Sequence, residues 1–165
     1  MPYLLIAALL VAVDQIVKFL VRANIPLYES IPFIPHLMNL TYVQNTGAAF
    51  SSFAQHTWLL TLISAGMSLL LAAALIQKRY TIAPAGRWAL AVILAGAVGN
   101  LIDRAVFGFV TDMFQTTFIN FAVFNVADIC VVLGGIAFVV YYLFFDEALT
   151  KKEKGNDHTD TDRPA

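Results

Sequence analysis

The sequence predicts an all-α membrane protein of four transmembrane helices, with a small extracytoplasmic β-sheet and a short interfacial helix between the first two spans. Three observations lead there. Of 165 residues, 59% are hydrophobic and only 13% charged, against about 45–50% and about 25% in a soluble domain, and the mean hydropathy is +0.74. Four apolar stretches, Tyr3–Val21, Trp58–Ile76, Trp88–Ala105 and Val123–Phe145, are each long enough to cross roughly 30 Å of hydrocarbon as a helix. The basic residues then gather on one side of the resulting layout.

The first stretch could pass for the apolar part of a secretory signal. No basic segment precedes it and no small-x-small cleavage pattern follows it, so it reads as a retained span carrying Asp14, Lys18 and Arg22 toward its end. The segment 24–57 is long for a connector, and Pro26, Pro32 and Pro35 argue against helix there. Within it, Leu37–Val43 is rich in strand formers and predicts a small sheet at the membrane surface. Gly47–Phe53 predicts the interfacial helix.

The second span is uncharged. Lys78, Arg79 and Arg87 flank the connection after it, and Lys151, Lys152 and Lys154 follow the fourth span. The excess of basic residues on cytoplasmic loops therefore places both termini and that connection inside. The third span is the shortest, and Phe107–Ala122 forms a second outer segment before the fourth. Residues 1–150 read as one four-span membrane domain and 151–165 as a polar, disordered cytoplasmic tail.

Several function classes fall away. A net charge of −1 offers no electrostatic footprint for nucleic acid. A single cysteine, Cys130, excludes an internal disulfide and a cysteine metal cluster. His36, His56 and His158 lie in loops or tail with no nucleophile at a known spacing, and no histidine accompanies the acids in the spans, so no metal site is expected.

The embedded polar residues are unevenly placed. Asp14 and Lys18, Asn100, Asp103 and Arg104, and Asn125 and Asp128 all fall in the outer halves of their spans, with Asp112 in the adjoining outer segment. An acid at mid-bilayer costs about 2.5–3.5 kcal/mol, which favours a bundle interior or a watered cavity. Spacings of three and four residues let each set face one centre. Plainer roles compete: Asp14–Lys18 as an intrahelical ion pair, Asp103–Arg104 as a structural pair, Asn100 as helix–helix glue. Asp128 has no basic residue within a turn, and a structural role accounts for it poorly.

Asp112 and Asp128, on an outer segment and the helix it enters, can approach within about 3–5 Å, where like charges share one proton. The ionised member can take a proton from an attacking water while the protonated member donates to a peptide carbonyl. A proton-coupled transporter or channel using the same acids is the alternative, but its relay should continue through the inner halves, which are uncharged. A lipid-binding scaffold would need neither acid.

Five segments in order, VDQIVK (13–18), VQNTGAAFS (43–51), AGAVGNLIDR (95–104), VTDMF (110–114) and FNVADI (124–129), resemble the bacterial lipoprotein signal peptidase (signal peptidase II) family. The resemblance covers nearly all of the chain between Val13 and Gly135. It implies an aspartic endopeptidase of the bacterial cytoplasmic (inner) membrane, with its site near the outer face. That enzyme removes signal peptides from prolipoproteins just before a diacylglyceryl-modified cysteine. It implies Asp112 and Asp128 as the catalytic pair. Asp14, Lys18, Asn45, Gly47, Asn100, Arg104 and Asn125 are expected to line the site or hold substrate or dyad, with Asp103 structural. No metal or cofactor is implied. The implied partners are the lipidated substrate, membrane lipids and the peptide antibiotic globomycin, and a monomer is expected. Lys18 and Arg104 are further expected to attract lipid headgroups. Two positions depart from the family pattern: Thr111 stands where an aliphatic residue is usual, and Ile129 where many members carry a hydroxyl.

Overall fold

A computed structural model describes residues 2–47, 57–77 and 82–146. Helix α1 (Pro2–Asn24) leads into strands β1 (Ser30–Ile34) and β2 (Met38–Asn45). Helices α2 (Thr57–Gln77) and α3 (Pro84–Phe107) follow, then strand β3 (Val110–Thr116) and helix α4 (Val126–Tyr141), which continues as a π-helical turn, Tyr142–Asp146. The four helices are long and apolar enough to cross a membrane.

Most of their apolar surface points outward. Leu5 is 74% exposed and Leu69 72%, the reverse of a soluble bundle and the arrangement that acyl chains would solvate. Helix α3 is the exception, with 44% of its span buried against 11% for α2. It packs against α1, α2 and α4, and that central position explains why it can carry polar residues. Close approach of α3 to α4 and to α1 depends on small residues. A Cβ on Gly96 would strike the Ala127 carbonyl and lie 2.7 Å from Val131 Cγ2, and one on Gly99 would lie 2.6 Å from Asp14 Oδ2. On the half away from the sheet, Ala7, Leu75, Leu90, Ala91, Leu94 and Ala95 form an apolar core.

The third span, expected to be the shortest, is the longest helix among the described residues. Pro84 in its first turn starts it ahead of Trp88 and Gly108, in the left-handed region at φ 77°, ends it by donating to Arg104 O. The fourth starts at Val126 rather than Val123. Phe124 instead pairs back with β3, accepting from Met113 N (3.0 Å) and Phe114 N (2.8 Å), and Asn125 caps the helix.

The expected sheet is present and larger than expected, three antiparallel strands in the order β1-β2-β3. Pro32 is tolerated because β1 is an edge strand. The second outer segment, expected only as a loop, supplies β3, so Asp112 stands on a strand. Val21 and Ile25 from the end of α1 pack with Tyr42 and Met113 and tie the sheet to the bundle. The interfacial helix at Gly47–Phe53 lies outside the described residues apart from Gly47, and the tail at 151–165 lies outside them altogether.

Candidate active site

Strand register sets the first half of the site. Val43 pairs with Asp112 and Asn45 with Val110, so Asn45 and Asp112 are diagonal neighbours on one face of the sheet. Asn45 Nδ2 donates to Asp112 Oδ2 at 2.9 Å, while Asn45 Oδ1 accepts from Gly47 N at 3.0 Å.

A helix start sets the second half. Asn125 and Asp128 form a capping box: Asn125 Oδ1 accepts from Asp128 N (2.9 Å) and Asp128 Oδ2 accepts from Asn125 N (3.1 Å). With its oxygen committed to the cap, the Asn125 amide nitrogen is left to donate elsewhere. It reaches Asp112 Oδ1 at 2.7 Å and Asn100 Oδ1 at 3.1 Å. From α3, Asn100 Nδ2 donates to Asp128 Oδ1 at 2.8 Å.

Each carboxylate thus accepts two N–H bonds from neutral donors, and among the described residues neither forms an ion pair. Asp112 is buried and Asp128 half-buried. Burial, reinforced by the nearby Asp128 charge, raises the Asp112 carboxyl to about 6, although bonds from Asn45 and Asn125 and the Lys18 charge work the other way.

Both acids open onto a cleft of about 490 Å³. Asn45, Gly47 and Arg104 share its wall with apolar side chains such as Phe121, Phe124 and Leu133. Water can reach the acids there, and an acyl or peptide chain can lie along the apolar side. Arg104 also donates to Ser64 Oγ on α2 at 3.3 Å.

The remaining predicted residues stand behind the site. Asp14 Oδ1 accepts from Ala127 N at 2.8 Å and so anchors the first turn of α4 beside Asp128. Lys18 is an ion-pair partner of Asp14 (2.9 Å), but it also crosses to α3, where its ammonium lies 3.0 Å from Asn100 Oδ1 and 3.7 Å from Asp103 Oδ2. At 0% exposure it cannot meet a headgroup, which corrects that expectation, and it does not form the cleft wall. Asp103 accepts from Thr111 N (2.8 Å) and Gln15 Nε2 (3.2 Å) and lies 3.8 Å from Arg22. It pairs with α1 rather than with Arg104.

Gln15, Arg22 and Thr111 had no site role in the sequence reading. Arg22 Nη1 donates to Thr111 Oγ1 at 2.8 Å, which gives the hydroxyl at that position a physical purpose. The signal available was the run 14, 18, 22, three charges at helical spacing on one face of α1. Ile129, the other departure, leaves no acceptor of Asp128 empty, since Asn100 and Asn125 serve both oxygens.

Residues 6–145 match the profile of the family described as Signal peptidase (SPase) II. A protein of Enterococcus faecalis named lipoprotein signal peptidase is 43% identical over 92% of this chain and 93% of its own. One of the same name from Lactococcus lactis is 42% identical over 87% and 90%. A solved structure described as a bacterial membrane enzyme superposes with a TM-score of 0.80 at 28% identity, over 88% of this chain and 89% of the other.

Proposed function

The chain belongs to the signal peptidase II family, and on that footing we propose that it is an intramembrane aspartyl endopeptidase which removes the signal peptides of prolipoproteins just before a diacylglyceryl-modified cysteine. It works in the bacterial cytoplasmic membrane with both termini inside and its site near the outer face. The observation that carries the reading is the pair Asp112 and Asp128, held among the described residues by amide and backbone N–H donors at the edge of one cleft.

Donors of this kind orient a carboxylate without committing its charge to a cation. The working pair holds one proton, and the burial of Asp112 favours its residence there. Asp128, half-open to the cleft, takes a proton from water as the water oxygen attacks the scissile carbonyl carbon. Asp112 gives its proton to the carbonyl oxygen, forming a neutral gem-diol. The proton gathered by Asp128 then passes to the departing nitrogen, the C–N bond breaks, and a diol proton returns to Asp112. One water has been consumed and the pair again holds one proton.

Asn45, Asn100 and Asn125 hold the acids; Gly47 and Arg104 are assigned to the substrate backbone and lipid side of the cleft. The lipid tails remain in the bilayer and the bond is cut near headgroup depth. Globomycin would occupy the same cleft.

Purified protein in detergent, given a diacylated prolipoprotein, should yield the shortened product on a gel. Asp112→Asn and Asp128→Asn should yield none while inserting into membranes normally. Near-normal turnover by either variant would end the assignment.

A further inference from the structure

Among the described residues Lys18 is the largest side chain with no exposed surface, and it neither lines the cleft nor bonds to either acid of the pair. Its ammonium lies 2.9 Å from Asp14 Oδ2, 3.0 Å from Asn100 Oδ1 and 3.5 Å from Gly99 O. An ammonium donates and cannot accept. Whatever end of the Asn100 amide faces it must therefore be the oxygen. The other end, the NH₂, is then turned to Asp128 Oδ1 at 2.8 Å. Asn125 Nδ2, itself fixed by the helix cap, is a second donor to the same Asn100 oxygen.

We infer that Lys18 is a positioning residue: by holding the Asn100 oxygen it keeps an N–H, rather than a carbonyl, aimed at Asp128. The inference rests on the dyad reading above. The charge matters as well as the direction. A cation on the amide oxygen draws electron density from the amide nitrogen and strengthens the bond its N–H makes to the carboxylate. Removal of Lys18 leaves Asn100 held by one neutral donor. If the amide turns, its carbonyl meets Asp128 and favours a protonated pair; if it stays, a weaker donor acts in the same direction. The Lys18 charge also favours the ionised form of Asp112, which bears on the alkaline limb, where Asp112 gives up its proton, and not on the acid limb.

The charges around these groups are Asp14 on α1 and Asp103 on α3 beside Lys18, with Arg22 beyond Asp103. Asp112 on β3 and Arg104 on α3 share the cleft with Asp128. None of them replaces Lys18 on the Asn100 oxygen.

The test is the pH dependence of cleavage of a diacylated prolipoprotein by the full chain. Lys18→Met leaves Asp14 without its cation and can fail to fold, so Asp14→Asn/Lys18→Met, which removes both charges, is made beside it. Asn100→Leu deletes the amide and retains the Asp14–Lys18 pair. In each variant that folds, the acid limb of the kcat profile should move up by about one pH unit. On the acid side of the parent's optimum, kcat should fall by up to about tenfold, the most that a one-unit move of the limb takes away, with KM within about twofold.

A folded double variant or Asn100→Leu with an unmoved limb overturns the inference. A rise in KM alone also overturns it, since that would place Lys18 or Asn100 against substrate. If neither Lys18 variant folds, Asn100→Leu decides by the same limb. Activity persisting in Asp112→Asn or Asp128→Asn would sink the dyad reading instead. Dead dyad variants with an unmoved limb would sink this inference alone.

Discussion

Asp112→Asn keeps the shape of the side chain and deletes its charge, so fold and chemistry can be read from one substitution. In the parent, burial raises this carboxyl from 3.8 to about 6. A group raised on folding stabilises the protein fully below its unfolded value, and that contribution is lost as pH rises through the folded one. At 1.36 kcal/mol per unit the whole loss is about 3 kcal/mol, of which about 2.4 falls between pH 4 and pH 7.

The asparagine has no such dependence. It does carry a constant penalty, because Asn45 and Asn125 each donate to a different Asp112 oxygen. One of those donors will now meet an NH₂, at a cost of about 1–3 kcal/mol. The variant should therefore be less stable than the parent at pH 4 and equal to it or more stable at pH 7. Reversible unfolding of both proteins in mixed micelles at pH 4, 5, 6 and 7 measures this difference directly, and comparison cancels the other carboxyls. Cleavage of a diacylated prolipoprotein should fall about 10²- to 10⁴-fold at every pH, the share a positioned acid or base supplies. Parallel stability curves would show that Asp112 is not held against its charge. A rate within tenfold of the parent would show that it is not catalytic.

Three further substitutions separate positioning from packing. Asn125→Ala removes both the cap of α4 and a donor to Asp112; it should cost about 0.5–2 kcal/mol of stability. Loss of that donor should also raise the Asp112 carboxyl further, seen as an alkaline limb shifted to higher pH because Asp112 works as the protonated partner, and an unshifted limb would contradict the network. Asp103→Asn leaves Lys18 and Arg22 facing a neutral group and should cost about 3–5 kcal/mol, read as lost yield of folded protein; a stable but inactive protein would show a direct part in the reaction. Gly96→Ala drives a methyl into the Ala127 carbonyl and Val131, so melting in detergent should show about 1–3 kcal/mol of destabilisation. An unchanged midpoint would mean that α3 and α4 can separate at no cost.

Much of the site was legible because polar residues in an apolar span are conspicuous. Asp14, Asn100, Asp103 and Asp128 each interrupt a run that lipid would otherwise fill, and their shared depth pointed to one end of the bundle. The capping box at Asn125 and Asp128 was also present in the spacing, although that spacing was read only as a shared face. What local sequence did not carry was which acid faces which partner. In sequence, Lys18 and Arg104 look equivalent as cations near one end of their spans, yet one is sealed between α1 and α3 and the other lines the cleft.

The sequence by itself determined the class of the protein, the four helices, the gathering of the acids at one end of them and the identity of the pair proposed for catalysis. Periodicity and hydropathy are local quantities, and a bilayer turns them into topology with few alternatives. Only the tertiary structure decided that Asp112 stands on a strand whose register meets Asn45, that Asn125 serves both acids, and that a buried ammonium settles the direction of an amide. Those facts depend on contacts between segments up to 82 residues apart, such as Lys18 with Asn100. The direction of a hydrogen bond becomes fixed only when both of its ends have been packed into place.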